Sequence, residues 1–403
     1  MIKFDCDYLE GCHPAILDLL VKTNMDQTDG YGCDKYCEKA KKLIAEACGF
    51  AGKRGKNVPE VHFLVGGTQT NTTVIASILR PHQGVVCAET GHINVHETGA
   101  IESTGHKVLS LPSKDGKLTA EQIEKYYLRL VHDCNYEHIV QAGMVYISFP
   151  TENGTIYSKS ELSAVYNVCK KYGLLLFIDG ARLGYGLAAA ENDLTLPEIA
   201  SLCDVFYIGG TKIGALFGEA VIIVNPELKK DFRCMIKQRG GMLAKGRLLG
   251  IQFTALFTEG LYFKLARHAV EAAKKIKTAL EEKGVNFLWL PVVRGARQGR
   301  LQHLRRLARR SVRPGACEEV QGDLPGARRF RGADDALQEL RRPRAGQHGR
   351  PPRPWPDRLG DSGKSLKIRI VSGWKQSLFL LSLQDGSDTC RVLRLVNTKI
   401  RQI

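Results

Sequence analysis

The sequence predicts an α/β protein built on a mainly parallel, seven-stranded sheet covered by helices. Three observations carry this. Seven short apolar runs rich in Val, Ile and Phe recur between residues 61 and 225. Helical patterns with start and stop signals separate several of them. The unusual polar residues fall just after the runs, where ligands bind in open parallel sheets. Alternation of strand and helix implies parallel neighbours, because each strand must be followed by a crossover that covers a sheet face.

The elements follow in order. "VHFLVGG" (61–67) is the first run, and a helix is expected from Thr68 through Arg80. "GVVCAE" (84–89) and "HKVLSLP" (106–112) come next, then the helical "TAEQIEKYYLRLV" (119–131) and the strand "MVYISFP" (144–150). In "SKSELSAVYNVCKKYG" (158–173), Ser158 and Glu161 have capping-box spacing, Leu162, Val165 and Val168 repeat at helical period, and Gly173 is a stop. "LLLFIDGA" (174–181), "DVFYIGG" (204–210) and "EAVIIVN" (219–225) complete the strands. "HAVEAAKKIKTALEEKG" (268–284) reads as a helix that opens a smaller C-terminal domain.

A chain of 403 residues is long enough for two or more domains. The N-terminus lacks a basic stretch followed by a long apolar one, so a secretory signal is not expected, and no run approaches bilayer-spanning length. The twelve cysteines are scattered: Cys33 and Cys37 are four apart and Cys6 and Cys12 six apart, which matches neither zinc nor redox spacing. Free thiols in a cytoplasmic protein, with no metal, is the expectation.

The net charge of +16 is unevenly placed. Of 58 basic and 42 acidic residues, 25 and 10 lie in 294–403, which leaves 33 and 32 for residues 1–293. Between Arg294 and Arg358 there are 17 arginines and no lysine, whereas 1–293 holds 25 lysines and 8 arginines. Apolar periodicity is lost there too. A basic arm that binds nucleic acid is one explanation. A reading-frame slip near Val293 is the other, since GC-rich codons read out of phase yield Arg, Gly, Pro and Ala. The abrupt loss of lysine favours the slip. Aromatics that a single-strand binder would interleave are reduced to Phe330 and Trp355. The tail is read as frame-slipped or disordered, and nucleic acid is not expected as a partner.

Four strand-following loops hold the chemistry. Gly66 and Gly67 allow a close backbone turn into the helix begun by Thr68, whose free N–H groups suit a phosphate; an ordinary turn capped by threonine is the alternative. "GHINVHETGA" gathers His92, His96 and Glu97, which surface histidines would also explain. Asp179 ends a strongly apolar strand, where a carboxylate needs a cation or a donor. Lys212 ends another. A desolvated lysine loses its proton readily and condenses with a carbonyl. Pyridoxal phosphate requires such an amine, a carboxylate that keeps its pyridine nitrogen protonated, and an anion cradle. Lys212, Asp179 and the 66–70 turn supply the three; a structural Lys212–Glu219 pair is the competing reading.

"FIDGARLGYGL", "YIGGTKIGALFGEA", "GGTQTN", "GHINVHETGA" and "DGYGCDKY" resemble the threonine aldolase and β-eliminating lyase family, pyridoxal-phosphate enzymes of the aspartate-aminotransferase fold. The resemblance covers about residues 1–290. It implies that Lys212 is the Schiff-base lysine and that Asp179 is the partner of the pyridine nitrogen. Arg182 is then placed near the phenolic oxygen and the substrate carboxylate, and Gly67, Thr68 and Gln69 at the phosphate, with Thr211 beside the lysine. His92 stacks on the ring, and Glu97 is nearby. It also implies a homodimer or homotetramer in which Tyr31 reaches the neighbouring site and Lys245 and Arg247 lie near the interface. "SFPTENGTIY" departs from the family, holding Thr151, Glu152 and Asn153 where many threonine aldolases carry a further histidine. The general base is therefore left among His92, His96 and a water bound by them. The family's small α+β domain supplies a carboxylate-binding arginine, and the tail would leave that domain degraded; "KIRIVSGW" around Arg369 resembles the segment only faintly.

The expected layout is an N-terminal segment (1–25), a cofactor-binding large domain (26–250), the start of the small domain (251–293) and the anomalous tail (294–403). The resemblance implies retro-aldol cleavage of L-threonine or L-allo-threonine to glycine and an aldehyde. The alternatives are another pyridoxal-phosphate elimination or transamination, or an inactive chain with a nucleic-acid-binding tail.

Overall fold

The computed structural model describes residues 6–282 together with two short strands, Arg369–Val371 and Leu378–Leu380. These residues belong to one compact unit; the other unit, 293–365, lies outside the described residues, and the expectations for the 294–403 tail fall there apart from the two strands. The two strands pair antiparallel, Arg369 opposite Leu380. The Arg369 side chain, and with it any test of the faint resemblance of "KIRIVSGW" to the family's carboxylate-binding segment, lies outside the described residues.

Seven strands form the main sheet: β1 (Glu60–Leu64), β2 (Gln83–Ala88), β3 (Val108–Leu111), β4 (Gln141–Ser148), β5 (Leu175–Asp179), β6 (Val205–Gly209) and β7 (Glu219–Ile223). Their order is β1-β7-β6-β5-β4-β2-β3. All seven apolar runs became strands. Neighbours from β3 across to β6 are parallel, and β7 runs antiparallel to both β6 and β1. The carboxyl ends of β2, β4, β5 and β6 therefore open on one edge of the sheet.

Period-two alternation sorts the strand residues onto two faces. Val145, Ile147, Leu176, Ile178, Phe206, Ile208 and Ile222 join one core cluster. Met144, Tyr146, Phe177, Val205, Tyr207, Val221 and Ile223 join the other. The first face is covered by Ala120–Val131 and Lys159–Lys171, each started by a capping box, of which the one at Ser158 and Glu161 was expected. Leu162 and Val165 of the second of these helices are buried there, worth about 1.5–3 kcal/mol apiece against leaving them in water. The second face is covered by the helix Gly67–Ile78 through Val74 and Ile75. That helix starts one residue earlier than expected and stops two earlier. Its N-cap is Gly66 without a side-chain bond, so Thr68 does not cap it. Among the described residues no helix is long and apolar enough to cross a membrane.

Candidate active site

The same alternation fixes what surrounds Asp179. It lies two residues beyond Phe177 and so on the Tyr146–Tyr207 face, 4% exposed. Its Oδ1 accepts from the Tyr207 hydroxyl at 2.5 Å and the Ala181 amide at 3.0 Å. Its Oδ2 accepts from the Tyr146 hydroxyl at 2.5 Å and Asn71 Nδ2 at 3.3 Å. Burial pushes the carboxyl up, but the His92 charge and these donors outweigh it and hold Asp179 below the usual carboxylate range. The hydroxyls of Tyr146 and Tyr207 are pushed well up, first by burial and then by the Asp179 charge, so they stay protonated as donors.

Two glycines let the Asp179 and Lys212 loops meet. A Cβ at Gly180 would stand 1.9 Å from the Tyr207 carbonyl oxygen, and one at Gly209 2.3 Å from that of Ala181. Neither contact could be relieved without moving backbone. Lys212 follows in the turn between β6 and β7. Burial and the Arg182 guanidinium push its amine down, against the opposing charges of Asp7, Asp179 and Glu219. The Lys212 backbone carbonyl accepts from the Tyr185 hydroxyl, which ties the Asp179–Arg182 loop to the lysine turn. Glu219 does not form the structural ion pair weighed for it: its oxygens accept from Gly210 N–H at 3.1 Å and Thr211 Oγ1 at 2.9 Å.

The stretch after β2 forms a one-turn helix, His92–Val95, rather than an open loop. His92 Nδ1 lies 3.0 Å from Glu97 Oε1, which also accepts from Asn71 Nδ2 at 2.8 Å. Asn71 thus joins Glu97 to Asp179. Burial pushes the His92 imidazole down, but the Glu97 hydrogen bond and the charges of Asp179 and Glu97 prevail and raise it. His96 packs tilted on His92, ring centroids 5.5 Å apart. The departing "TEN" loop reaches the same place, since Glu152 Oε1 accepts from the His92 amide at 2.9 Å and from Ser148 Oγ at 2.5 Å.

Arg182 is gripped by Asp7 of the N-terminal segment, Nε to Oδ2 at 2.5 Å and Nη2 to Oδ1 at 3.1 Å. At the phosphate turn, the amides of Gly67, Thr68 and Gln69 have no backbone acceptor among the described residues, and open space lies beside Gly66. The Gln69 side chain is used otherwise, accepting from Val65 N and donating to the Arg239 carbonyl. Tyr31 is 45% exposed, at φ 59°, with Lys237 Nζ over its ring. Lys245 is exposed; Arg247 instead donates to the Thr23 and Asn24 carbonyls of its own chain.

The residues fit pyridoxal phosphate. A buried anionic carboxylate whose hydrogen-bond donors are all neutral suits a pyridinium, the free helix amides suit a phosphate, and Asn71 Oδ1 and Glu97 Oε2 are buried without a hydrogen-bond partner beside them. Lys212, Asp179, His92, Arg182, Thr211 and the 67–69 turn would hold the group. Asn71, Tyr146, Tyr185, Tyr207 and Asp7 were not singled out from sequence. The tyrosines carried a signal, because a hydroxyl in an apolar strand needs a buried partner.

The family model for beta-eliminating lyases matches residues 7–298. A low specificity L-threonine aldolase from a Pseudomonas species is 31% identical over 296 residues, 71% of this chain and 81% of that protein. A solved threonine aldolase structure from Leishmania major is 47% identical, with TM-score 0.68 over 72% of this chain and 82% of that one. Aspartate aminotransferase from Thermus thermophilus, 11% identical with TM-score 0.55 over 72% and 75% of the two chains, shares the fold. The chain therefore belongs to the beta-eliminating lyase family, whose members are pyridoxal-phosphate-dependent lyases.

Proposed function

We propose that this chain cleaves a β-hydroxy-α-amino acid, L-threonine or L-allo-threonine, to glycine and an aldehyde, with pyridoxal phosphate held at Lys212. The observation that carries this is the anionic Asp179 facing the same site as an amine whose proton is loosely held. When bound, the cofactor supplies a carbonyl for amine condensation and a ring that takes up the electron pair of the broken bond. Asp179 keeps that ring's nitrogen protonated. Arg182 binds the substrate carboxylate in exchange for Asp7. A base at His92, oriented by Glu97, takes the β-hydroxyl proton as the Cα–Cβ bond breaks; His96 or a water between the two histidines is the other candidate. Cα is then reprotonated. The threonine aldolases among the relatives support the substrate class.

The homodimer or homotetramer belongs to this proposal, with exposed Tyr31 and Lys245 toward the partner; the inward bonds of Arg247 leave it a supporting part. So does a cytoplasmic location, supported by the free cysteines among the described residues. Incubation with each threonine isomer and pyridoxal phosphate tests the reaction. Equal amounts of glycine and acetaldehyde are expected; a keto acid without glycine would refute it.

A further inference from the structure

We propose that Glu219 is a positioning residue for Lys212: its side chain holds the turn that carries the amine, and its charge state acts on the amine across that turn. This rests on the reading that Lys212 carries the cofactor. Glu219 begins β7 opposite Gly209 of β6 and Leu64 of β1, and by alternation it shares the face of Val221. It is 4% exposed. Both oxygens serve the lysine turn, one on the Gly210 amide and one on Thr211 Oγ1. Thr211 Oγ1 in turn accepts from the Gly218 amide at 3.0 Å, while the Gly218 carbonyl accepts from the Gly210 and Thr211 amides at 2.9 and 3.1 Å. The loop is thus closed around residue 219 on the inside, with Tyr185 holding the Lys212 carbonyl from the other side.

A turn could be closed by a hydroxyl or an amide without burying an ionisable group, which is costly. A carboxyl adds something those cannot: a charge that responds to the amine. Burial pushes Glu219 up to about 8, against the opposing pull of Thr211, Lys212 and the Gly210 amide. The charged and titratable groups facing it are Lys212 on its own turn, Asp179 from β5, Tyr207 from β6 and Tyr262 from the helix Leu261–Glu281. Lys212 also faces Arg182 and Asp7. As Glu219 ionises in mildly alkaline solution, it favours a protonated nitrogen at position 212.

The test compares wild type, Glu219→Gln and Glu219→Ala, each loaded with pyridoxal phosphate. Borohydride labelling of Lys212 is read by peptide mass, and the visible absorbance is titrated with pH. Wild type and Glu219→Gln should both label at Lys212. In Glu219→Gln the alkaline transition should move to lower pH by about half a unit, about threefold in proton affinity. Glu219→Ala, which loses both bonds to the turn, should label at least about tenfold more slowly. A labelled wild type with unchanged titration in Glu219→Gln would overturn this inference alone. A wild type that does not label at Lys212 would remove the functional reading and this inference with it. Should Glu219→Ala not fold, the Glu219→Gln titration decides.

Discussion

Replacing Tyr146 and Tyr207 with phenylalanine, singly and together, tests whether hydroxyl donation keeps Asp179 ionised. Each hydroxyl approaches the carboxylate at 2.5 Å, and a phenyl ring fills the same space without a cavity. A hydrogen bond to a buried charge contributes about 1.5–3 kcal/mol, so each loss should raise the proton affinity of Asp179 about tenfold or more. The two bonds share one carboxylate, so the double variant should lose less than the sum. The sign follows from linkage. A carboxyl whose folded pKa lies below the unfolded one stabilises the fold at neutral pH and loses that contribution as pH falls through the folded value. Each single variant should therefore be about 1.5–3 kcal/mol less stable than wild type at pH 7, with the gap narrowing below about pH 5. Urea unfolding across that range measures it. Variants as stable as wild type at pH 7, or a gap unchanged in acid, would refute the account.

Three further outcomes are expected. Lys212→Ala should lose the borohydride-stable label and lower glycine formation by at least about 10³-fold, read by peptide mass and amino-acid analysis. Glu97→Gln weakens the hydrogen bond that does most to raise His92, so the imidazole should become neutral at lower pH; a base must be neutral to take a proton, and the acid limb of kcat should move to lower pH. A stationary limb would exclude His92 as the base. Gly180→Ala should cost more than about 3 kcal/mol or prevent folding, because its Cβ would meet the Tyr207 carbonyl oxygen at 1.9 Å; a thermal melt decides.

The strands were readable because buried strands are nearly continuous apolar runs whether their neighbours are parallel or antiparallel, and all seven stood out against their polar connections. The helix ends drifted at Gly67–Ile78, where a glycine cap leaves no side-chain signature. Lys212, Asp179 and His92 were legible as polar residues that follow apolar strands, and Arg182 through the family resemblance alone. What holds them was not. Asn71 donates to both Glu97 and Asp179 from the helix that follows β1, a meeting of segments 26 and 108 residues apart that no local spacing encodes. Glu219 was visible only as an acid near a lysine. Coulomb attraction made a direct pair the competing reading, and the backbone amide and the threonine hydroxyl of the turn hold its oxygens instead.

That outcome shows how one sheet edge sorts its acids. Asp179 and Glu219 are equally buried, so desolvation opposes both charges. Asp179 gathers two hydroxyls, a side-chain amide and a backbone amide, with a raised histidine beside it, and stays ionised. Glu219 has one amide and one hydroxyl and is pushed up to about 8. The His92 charge and the larger set of donors keep negative charge at 179, while Glu219, with fewer donors, holds its proton more tightly. The amine can then release its proton, while the charge needed by a pyridinium waits on the β5 side. Tyr146 and Tyr207 supply two of the four donors that, with the His92 charge, hold Asp179 ionised against its burial.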